Sequence, residues 1–456
     1  MIKQLVVCIL SLICFGGLLA QDNQFDTIDL NLNADFDYIP GFLDYDLVED
    51  RLGCMEKTIP LNYNSRVYAF VNYFAIKDRE YTRMVIKRAT YYFPIFEKYL
   101  KKYGLPDELK YLSIIESGLN PNAVSRVGAV GLWQFMPYTG RSYKLHQDWY
   151  LDERRDPIKA TEAAFKYMKQ LYKMFGDWEL VMAAYNSGPG NVRKAIRRSG
   201  YKKKFWEIYR HLPRETRSYV PQWVAIYYVM NYADELNLLK EDFDYPVEFD
   251  TINVSNFLNL EVLASQLNLC LDDLRKLNPA IKHNALPEDV ENYPLRIPSE
   301  YMLALNKNRE IIIDSAHKTG RAKYEALAKT TIGSTYGRNK VAYRVKSGDV
   351  LGTIAQRYRV RISDIRKWNN LRSNLIQVGQ RLNIWIYPGA KTRTVAVQSK
   401  PRIEQLENGK YYLVQPGDTL WDISRMFKGL SIEKLKMLNN LKSNKITPGQ
   451  KLLIES

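Results

Sequence analysis

The chain has 456 residues and a mass of 53.2 kDa, which at roughly 100–200 residues per domain excludes a single core and predicts two to four domains. Hydrophobic residues at 46% and charged residues at 25% exclude a wholly disordered chain. The net charge of +16 calls for a polyanionic partner or surface and leaves nucleic acid, anionic lipid and acidic wall polymer open.

Lys3, the apolar run Leu5 to Leu19 and the small Ala20 before Gln21 and Asp22 predict a cleaved secretory signal over 1–20. An uncleaved anchor is the competing reading. Lipidation at Cys14 is disfavoured because Ile13 stands where a lipoprotein signal needs a small residue. Loss of the signal leaves Cys54 and Cys270, expected as buried small apolar residues rather than a bridge. His146, His211, His283 and His317 form no ligand spacing, so no metal and no cofactor are expected.

Residues 21–60 carry ten acids against Arg51 and Lys57, a balance of −8, and 21–94 is expected as an acidic leader with a helical N-terminal extension. Between about Val67 and Asn237 apolar residues recur at three and four spacing between breaks at Gly104, Gly118, Gly140, Gly176 and Gly188, which predicts helices, with the helical domain set at 95–235. Residues 247–298 read as a small mixed unit and 299–338 as a charged linker or helix. The stretch 338–456 holds 23 Lys and Arg against 8 acids, a balance of +15. It also contains a duplication. The run from Tyr343 through Gly348 and Asp349 repeats from Tyr412 through Gly417 and Asp418, and Leu371–Leu382 repeats at Leu441–Leu452. Two modules follow, 341–386 and 411–455, joined by a linker over 387–410, each in the order βααβ. The fold class is therefore α+β and multidomain: a mainly helical domain followed by small βααβ modules.

One helix carries the chemistry. Gly104 to Gly118 reads as a complete helix with Pro106 in its first turn, Asp107 and Glu108 at its positive end and Gly118 as its stop. Leu105, Leu109, Leu112 and Ile115 form its apolar stripe, and Glu116, one turn beyond Leu112, sits at the stripe's edge. A carboxyl held there should have a raised pKa, as a general acid near neutral pH requires. On the helix alone, a capping or ion-paired glutamate fits equally well.

Longer motifs resolve that ambiguity. Glu116-Ser117, then Asn120–Pro137 with Gly131, Leu132, Trp133 and Gln134, then Ala184-Tyr185-Asn186 before Gly188 resemble the soluble-lytic-transglycosylase domain, a lysozyme-like fold that cleaves peptidoglycan glycan strands. The resemblance covers about 95–235. Trp133, Leu151–Pro157 and Glu215–Pro221 place it nearest the membrane-bound members that carry C-terminal LysM repeats. It implies Glu116 as the single catalytic acid/base and Ser125, Gln134, Tyr185, Asn186 and Tyr219 as substrate-binding residues. The two basic repeats resemble LysM modules, which bind N-acetylglucosamine-containing glycans. That implies glycan contacts near Gly348, Asp349 and Asn369 in one copy and Gly417, Asp418 and Asn439 in the other. Asp349 and Asp418 also fit as helix caps. Residues 262–279 share the middle of the LysM pattern without its Gly-Asp opening, so 247–298 is expected as a degenerate LysM-like packing unit.

No acid lies between Ser117 and Gln147, whereas a two-carboxylate hydrolase needs one across the bond. The family reaction fits this: the glutamic acid protonates the β-1,4 oxygen between N-acetylmuramic acid and N-acetylglucosamine, and the C6 hydroxyl closes a 1,6-anhydromuramoyl end. A water-using muramidase and a non-catalytic wall-binding scaffold are the alternatives. The expected partners are peptidoglycan strands and the envelope surface, with no nucleic acid, for a monomer of the periplasm or cell envelope.

Overall fold

The computed structural model describes residues 41–239, 248–389, 403–406, 409–414, 418–427, 429–441, 443–447 and 449–455. The expected signal, half of the acidic leader, most of the 387–410 linker and Gly417 lie outside them.

The first unit contains α1 (Tyr45–Met55), α2 (Ser65–Asn72), α3 (Arg79–Tyr103), α4 (Leu112–Ser117), α5 (Pro137–Ser142), α6 (Pro157–Phe175), α7 (Trp178–Ser187), α8 (Pro189–Arg198), α9 (Phe205–Ile208) and α10 (Arg214–Asn231). Local chemistry fixes their ends. Asp156 caps α6 by accepting from the Ile158 and Lys159 amides ahead of Pro157, and Gly176 ends it in the left-handed region. Asp177 then caps α7 through the Leu180 amide. These helices, α5 aside, contribute to one core, from Val48 to Leu238, that includes Phe96, Trp133, Phe165 and Trp223.

The N-terminal extension belongs to this core. Val48, Leu52, Val67 and Val71 are buried in it, and the Arg51 guanidinium donates to Tyr228 Oη at 3.3 Å and Glu235 Oε2 at 2.5 Å. The boundary expected at 94/95 falls inside α3. Pro94 lies on that helix's exposed face, and the stripe Val85, Ala89, Tyr92, Phe96 and Leu100 continues past it. The cysteines also differ from expectation: Cys54 and Cys270 are free and exposed. Cys54 stands on the outer face of α1, and Cys270 occupies a helix cap position rather than a core one.

The second unit contains β1 (Phe249–Val254), β2 (Leu258–Asn259), α11 (Leu260–Leu267), α12 (Leu271–Leu277), β3 (Ala285–Leu286) and β4 (Tyr293–Pro298). β1 runs antiparallel to β4 with Ile252 opposite Leu295, and the two helices lie between them in sequence. The stretch expected as a charged linker or helix is helical, forming α13 (Met302–Lys307), α14 (Arg309–Lys318) and α15 (Arg321–Thr330), whose Leu305, Ile312, Ala316 and Ala328 enter the same core. Trp149, Tyr150 and Leu151, from the loop between α5 and α6, enter it too. The Asp152 amide donates to Ala280 O at 2.9 Å, the Lys282 amide to Tyr150 O at 2.8 Å, and Arg296 pairs with Asp156 in a buried contact at 3.0 Å.

The third unit is β5 (Asn339–Arg344), α16 (Leu351–Tyr358), α17 (Ile362–Trp368) and β6 (Arg381–Ile386), and the fourth is β7 (Ile403–Leu406), β8 (Gly409–Leu413), α18 (Leu420–Met426), α19 (Ile432–Leu438) and β9 (Lys451–Glu455). The third unit leans on α15: Trp368 Nε1 donates to Gly333 O at 3.0 Å and the Gly333 amide to Asp364 Oδ1 at 2.8 Å. One clamp recurs in all three βααβ units. Asn278, Asn369 and Asn439 each donate to the helix carbonyl four residues back and to a strand carbonyl, and accept from the same strand residue's amide.

Removing one partner of a buried ion pair strands the other. Arg296→Met is therefore expected to destabilise the contact between the first two units by about 3 kcal/mol. The check is an earlier unfolding transition in urea followed by the fluorescence of Trp149, which stacks on His283 at 4.0 Å.

Candidate active site

Glu116 stands in the last turn of α4. The long helix expected over 104–118 is divided into a 3-10 turn over Asp107–Tyr111 and then α4. The cause is a stolen acceptor. Trp223 Nε1 takes the Glu108 carbonyl at 3.2 Å, and the Leu112 amide bonds Leu109 O instead. The strand of chain around α4 is buried on nearly every side, with Leu109, Leu112 and Ile114 fully enclosed. Ser113 and Ser117 hydroxyls both donate to Leu132 O, at 2.8 and 2.9 Å, and so bind α4 to the loop that follows.

Burial raises the Glu116 carboxyl to about 7. The Tyr219 hydroxyl donates to its Oε1 at 2.5 Å and pulls the other way. Tyr219 lies on α10 and Tyr185 on α7. Burial first, and then the nearby Glu116 charge, hold both phenols well above their usual range. Each is thus a neutral donor at the pH where Glu116 titrates.

The other residues expected at the site lie on the Asn120–Phe135 loop and on α7. Tyr185 Oη donates to Trp133 O at 2.8 Å, fixing α7 against the Asn120–Phe135 loop. Gln134, with a φ of +45°, turns its amide back onto Gly131 O at 2.9 Å and Ala123 O at 3.3 Å. Ser125 Oγ accepts from the Ala129 amide at 2.9 Å, a turn role. Asn186 Oδ1 accepts from Thr216 Oγ1 at 2.9 Å and joins α7 to α10. Among the described contacts, Tyr219 alone hydrogen-bonds Glu116; Ser125, Gln134 and Asn186 do not.

Arg154 received no role from the sequence, yet it organises the loop. Its guanidinium donates to Gly128 O at 2.9 Å and Phe135 O at 3.0 Å, and is itself clamped on Asp152 at 2.9 and 2.7 Å. Asp148 and Asp152, the nearest acids after the motif, are thereby accounted for: Asp152 holds Arg154, and Asp148 accepts from the Leu151 amide and faces His146. A second carboxyl, Glu179, is also lifted to about 7 by burial. Its Oε1 is filled by Asn62 Nδ2 and Trp206 Nε1, both at 2.9 Å, so a raised pKa alone does not mark a site here.

In the βααβ repeats the expected glycan residues divide. Gly348, with a φ of +82°, has open space around it. Asp349 accepts from Tyr343 Oη and the Lys346 amide rather than capping α16, whose cap is Val350, and Asp418 accepts from Tyr412 Oη at 2.6 Å. The amides of Asn369 and Asn439 are spent on the clamp described above.

Residues 93–208 match the Transglycosylase SLT domain, 343–385 and 412–455 the LysM domain, and 248–312 the LysM-like domain of lytic transglycosylase MltD. A helical SLT domain followed by LysM modules defines a peptidoglycan lytic transglycosylase. Among curated proteins the chain is 30% identical over 383 residues to membrane-bound lytic murein transglycosylase D of Escherichia coli, covering 83% of this chain and 79% of that one. It belongs to that family. An autolysin of Enterococcus faecalis is 34% identical over 146 residues, 32% of this chain and 18% of its own. The 70 kDa soluble lytic transglycosylase of Escherichia coli superposes with a TM-score of 0.29 at 23% identity over 40% of this chain and 33% of that chain.

Gly131 tests the loop's foundation. It has a φ of +85°, and a Cβ there would lie 1.9 Å from Arg154 O. Gly131→Ala is expected to cost about 2 kcal/mol or more and to depress sacculus lysis, measured as turbidity loss alongside thermal unfolding.

Proposed function

We propose that the enzyme cleaves the β-1,4 bond between N-acetylmuramic acid and N-acetylglucosamine with Glu116 as its one acid/base, leaving 1,6-anhydromuramoyl ends. The observation that carries this is a carboxyl raised to about 7 by burial, with Tyr219 as its one hydrogen-bond partner among the described residues. Protonated, Glu116 donates to the glycosidic oxygen as the bond breaks and positive charge develops at the muramoyl C1. The carboxylate formed then accepts the proton of the same sugar's C6 hydroxyl as that oxygen attacks C1. An internal nucleophile needs no second carboxylate to activate water, and its high effective concentration replaces that activation.

Tyr185 and Tyr219, held neutral, order the acid and the sugar it faces, while Gln134, Ser125 and Asn186 shape the walls of the cleft. The repeats at 341–386 and 411–455 retain the enzyme on the wall, with Gly348, Asp349, Gly417 and Asp418 near the sugar-contacting loops. Two weak modules on one chain raise residence through effective concentration. An exported, envelope-associated monomer, released from the signal at 1–20, completes the reading. Among the described residues no helix is long and apolar enough to cross a membrane.

Glu116→Gln is expected to reduce sacculus lysis by at least about a thousandfold. Parental lysis by this variant would refute the assignment. The same change tests linkage. A carboxyl whose folded pKa lies above its unfolded value contributes stability at low pH that is lost as pH rises from about 4.5 to about 7. At pH 8 Glu116→Gln should therefore raise the melting temperature by about 2–4 °C.

In the parent, kcat/KM should fall as pH rises through about 7, because the acid must be protonated. Tyr219→Phe removes a bond that stabilises the carboxylate, so the alkaline limb of its pH profile should move to higher pH.

A further inference from the structure

The catalytic unit carries a charge concentration that its chemistry does not use. Residues 189–217 hold ten Lys and Arg against Glu207 and Glu215, a balance of +8. They form α8, the turn after it, α9 and the start of α10. Only Val192 and Ala195 of α8 are buried, and Arg193, Lys194, Arg197 and Arg198 all face solvent.

Two cavities flank this helix. One, of about 360 Å³, is lined by Lys194, Arg198, Arg210 and Arg217 with His211 and no acidic side chain. Arg217 is held there by its bonds to Leu212 O at 3.0 Å and Arg210 O at 2.8 Å. Like charges gathered this closely repel, and an anion between them relieves the repulsion. The other cavity, of about 490 Å³, is lined by Gly190, Arg193, Ile196, Arg197 and Tyr201, and is bounded by apolar surface from Ile196, the Tyr201 ring and the arginine stems.

The helix spacing places 194 and 198 on one stripe and 193 and 197 on the next, so the cationic and apolar cavities are adjacent. Tyr201 is 70% exposed and has a φ of +64°, a costly conformation for a bulky residue. Its amide bond to Ile196 O at 2.8 Å fixes it there, beside exposed Lys202 and Lys203.

We propose that this face docks on an anionic phospholipid surface, with lipid phosphates in the Lys194, Arg198, Arg210 and Arg217 cavity and Tyr201 at the headgroup boundary. Phosphate suits the arginine forks, and an aromatic beside an apolar slot suits the acyl edge of a bilayer rather than a wholly polar glycan. Tyr219 and Arg217 are two residues apart on α10 and point to different sides of it, so docking leaves the Glu116 cleft open.

The test is co-sedimentation of the full chain with vesicles of phosphatidylglycerol and phosphatidylethanolamine, against vesicles of phosphatidylcholine. The basic tail is controlled by a matched reversal, Lys346→Glu with Arg381→Glu, both exposed in the first repeat. Lys194→Glu with Arg198→Glu is expected to weaken binding to the anionic vesicles at least about tenfold, with the tail reversal changing it less than about threefold. Tyr201→Ser should lose about fivefold. The Lys194/Arg198 variant should cleave detergent-dispersed sacculi at the parental rate, which shows it folded. Equal loss in both reversals, no preference of the parent for anionic vesicles, or a tenfold loss of sacculus binding with vesicle binding unchanged would overturn the proposal; the last would assign the face to the wall polymer.

Discussion

One buried guanidinium holds the loop that follows Glu116. Arg154 is clamped by Asp152 and in turn holds the carbonyls of Gly128 and Phe135, so the loop from Asn120 to Phe135 cannot shift without breaking charge-assisted bonds in a dry environment. The segment that carries Arg154 is fixed from behind. Trp149, Tyr150 and Leu151 are core residues of the second unit, and Asp156, which starts α6, is paired with Arg296 of that unit. The LysM-like unit is thus a buttress for the segment that carries Arg154. This arrangement also explains why Gly131 must lack a Cβ: the backbone of Arg154 occupies the space.

Burial at Glu116 has the opposite character. It destabilises the charged carboxyl; among the described residues nothing cationic relieves it and Tyr219 alone supplies a donor. Glu179, itself buried, shows the same raised value with its Oε1 accepting two hydrogen bonds. The two carboxyls thus differ in exposure and in hydrogen bonding rather than in pKa, Glu116 being half-buried where Glu179 is enclosed.

Much of this was legible in the residues. Motif order located Glu116, Tyr185 and Tyr219, because these residue types at these spacings recur in the lytic-transglycosylase domain, and the duplication around Gly348 and Gly417 marked the two repeats. The LysM-like middle of 262–279 anticipated a shared scaffold, which the common amide clamp of Asn278, Asn369 and Asn439 makes explicit. Other features had no local signal. Periodicity could not reveal that Trp223 would capture the Glu108 carbonyl and break the helix before α4, since the two are 115 residues apart. Nor could it show Arg154 reaching across the loop, or the stretch 299–338 burying Ile312 and Ala316 beneath a charged surface. The overall charge was read as a leader against a tail, while the cationic face of α8 emerged only when helix, turn and α10 were brought side by side.

The proposed reaction depends on a single carboxyl serving a glycan whose own hydroxyl completes it. Mass spectrometry of purified sacculi digested by the enzyme tests this most directly. Fragments ending in 1,6-anhydromuramoyl groups, about 18 Da lighter than their reducing-end counterparts as one retained water requires, are the predicted result. Products ending in reducing N-acetylmuramic acid would contradict it and assign water as the nucleophile.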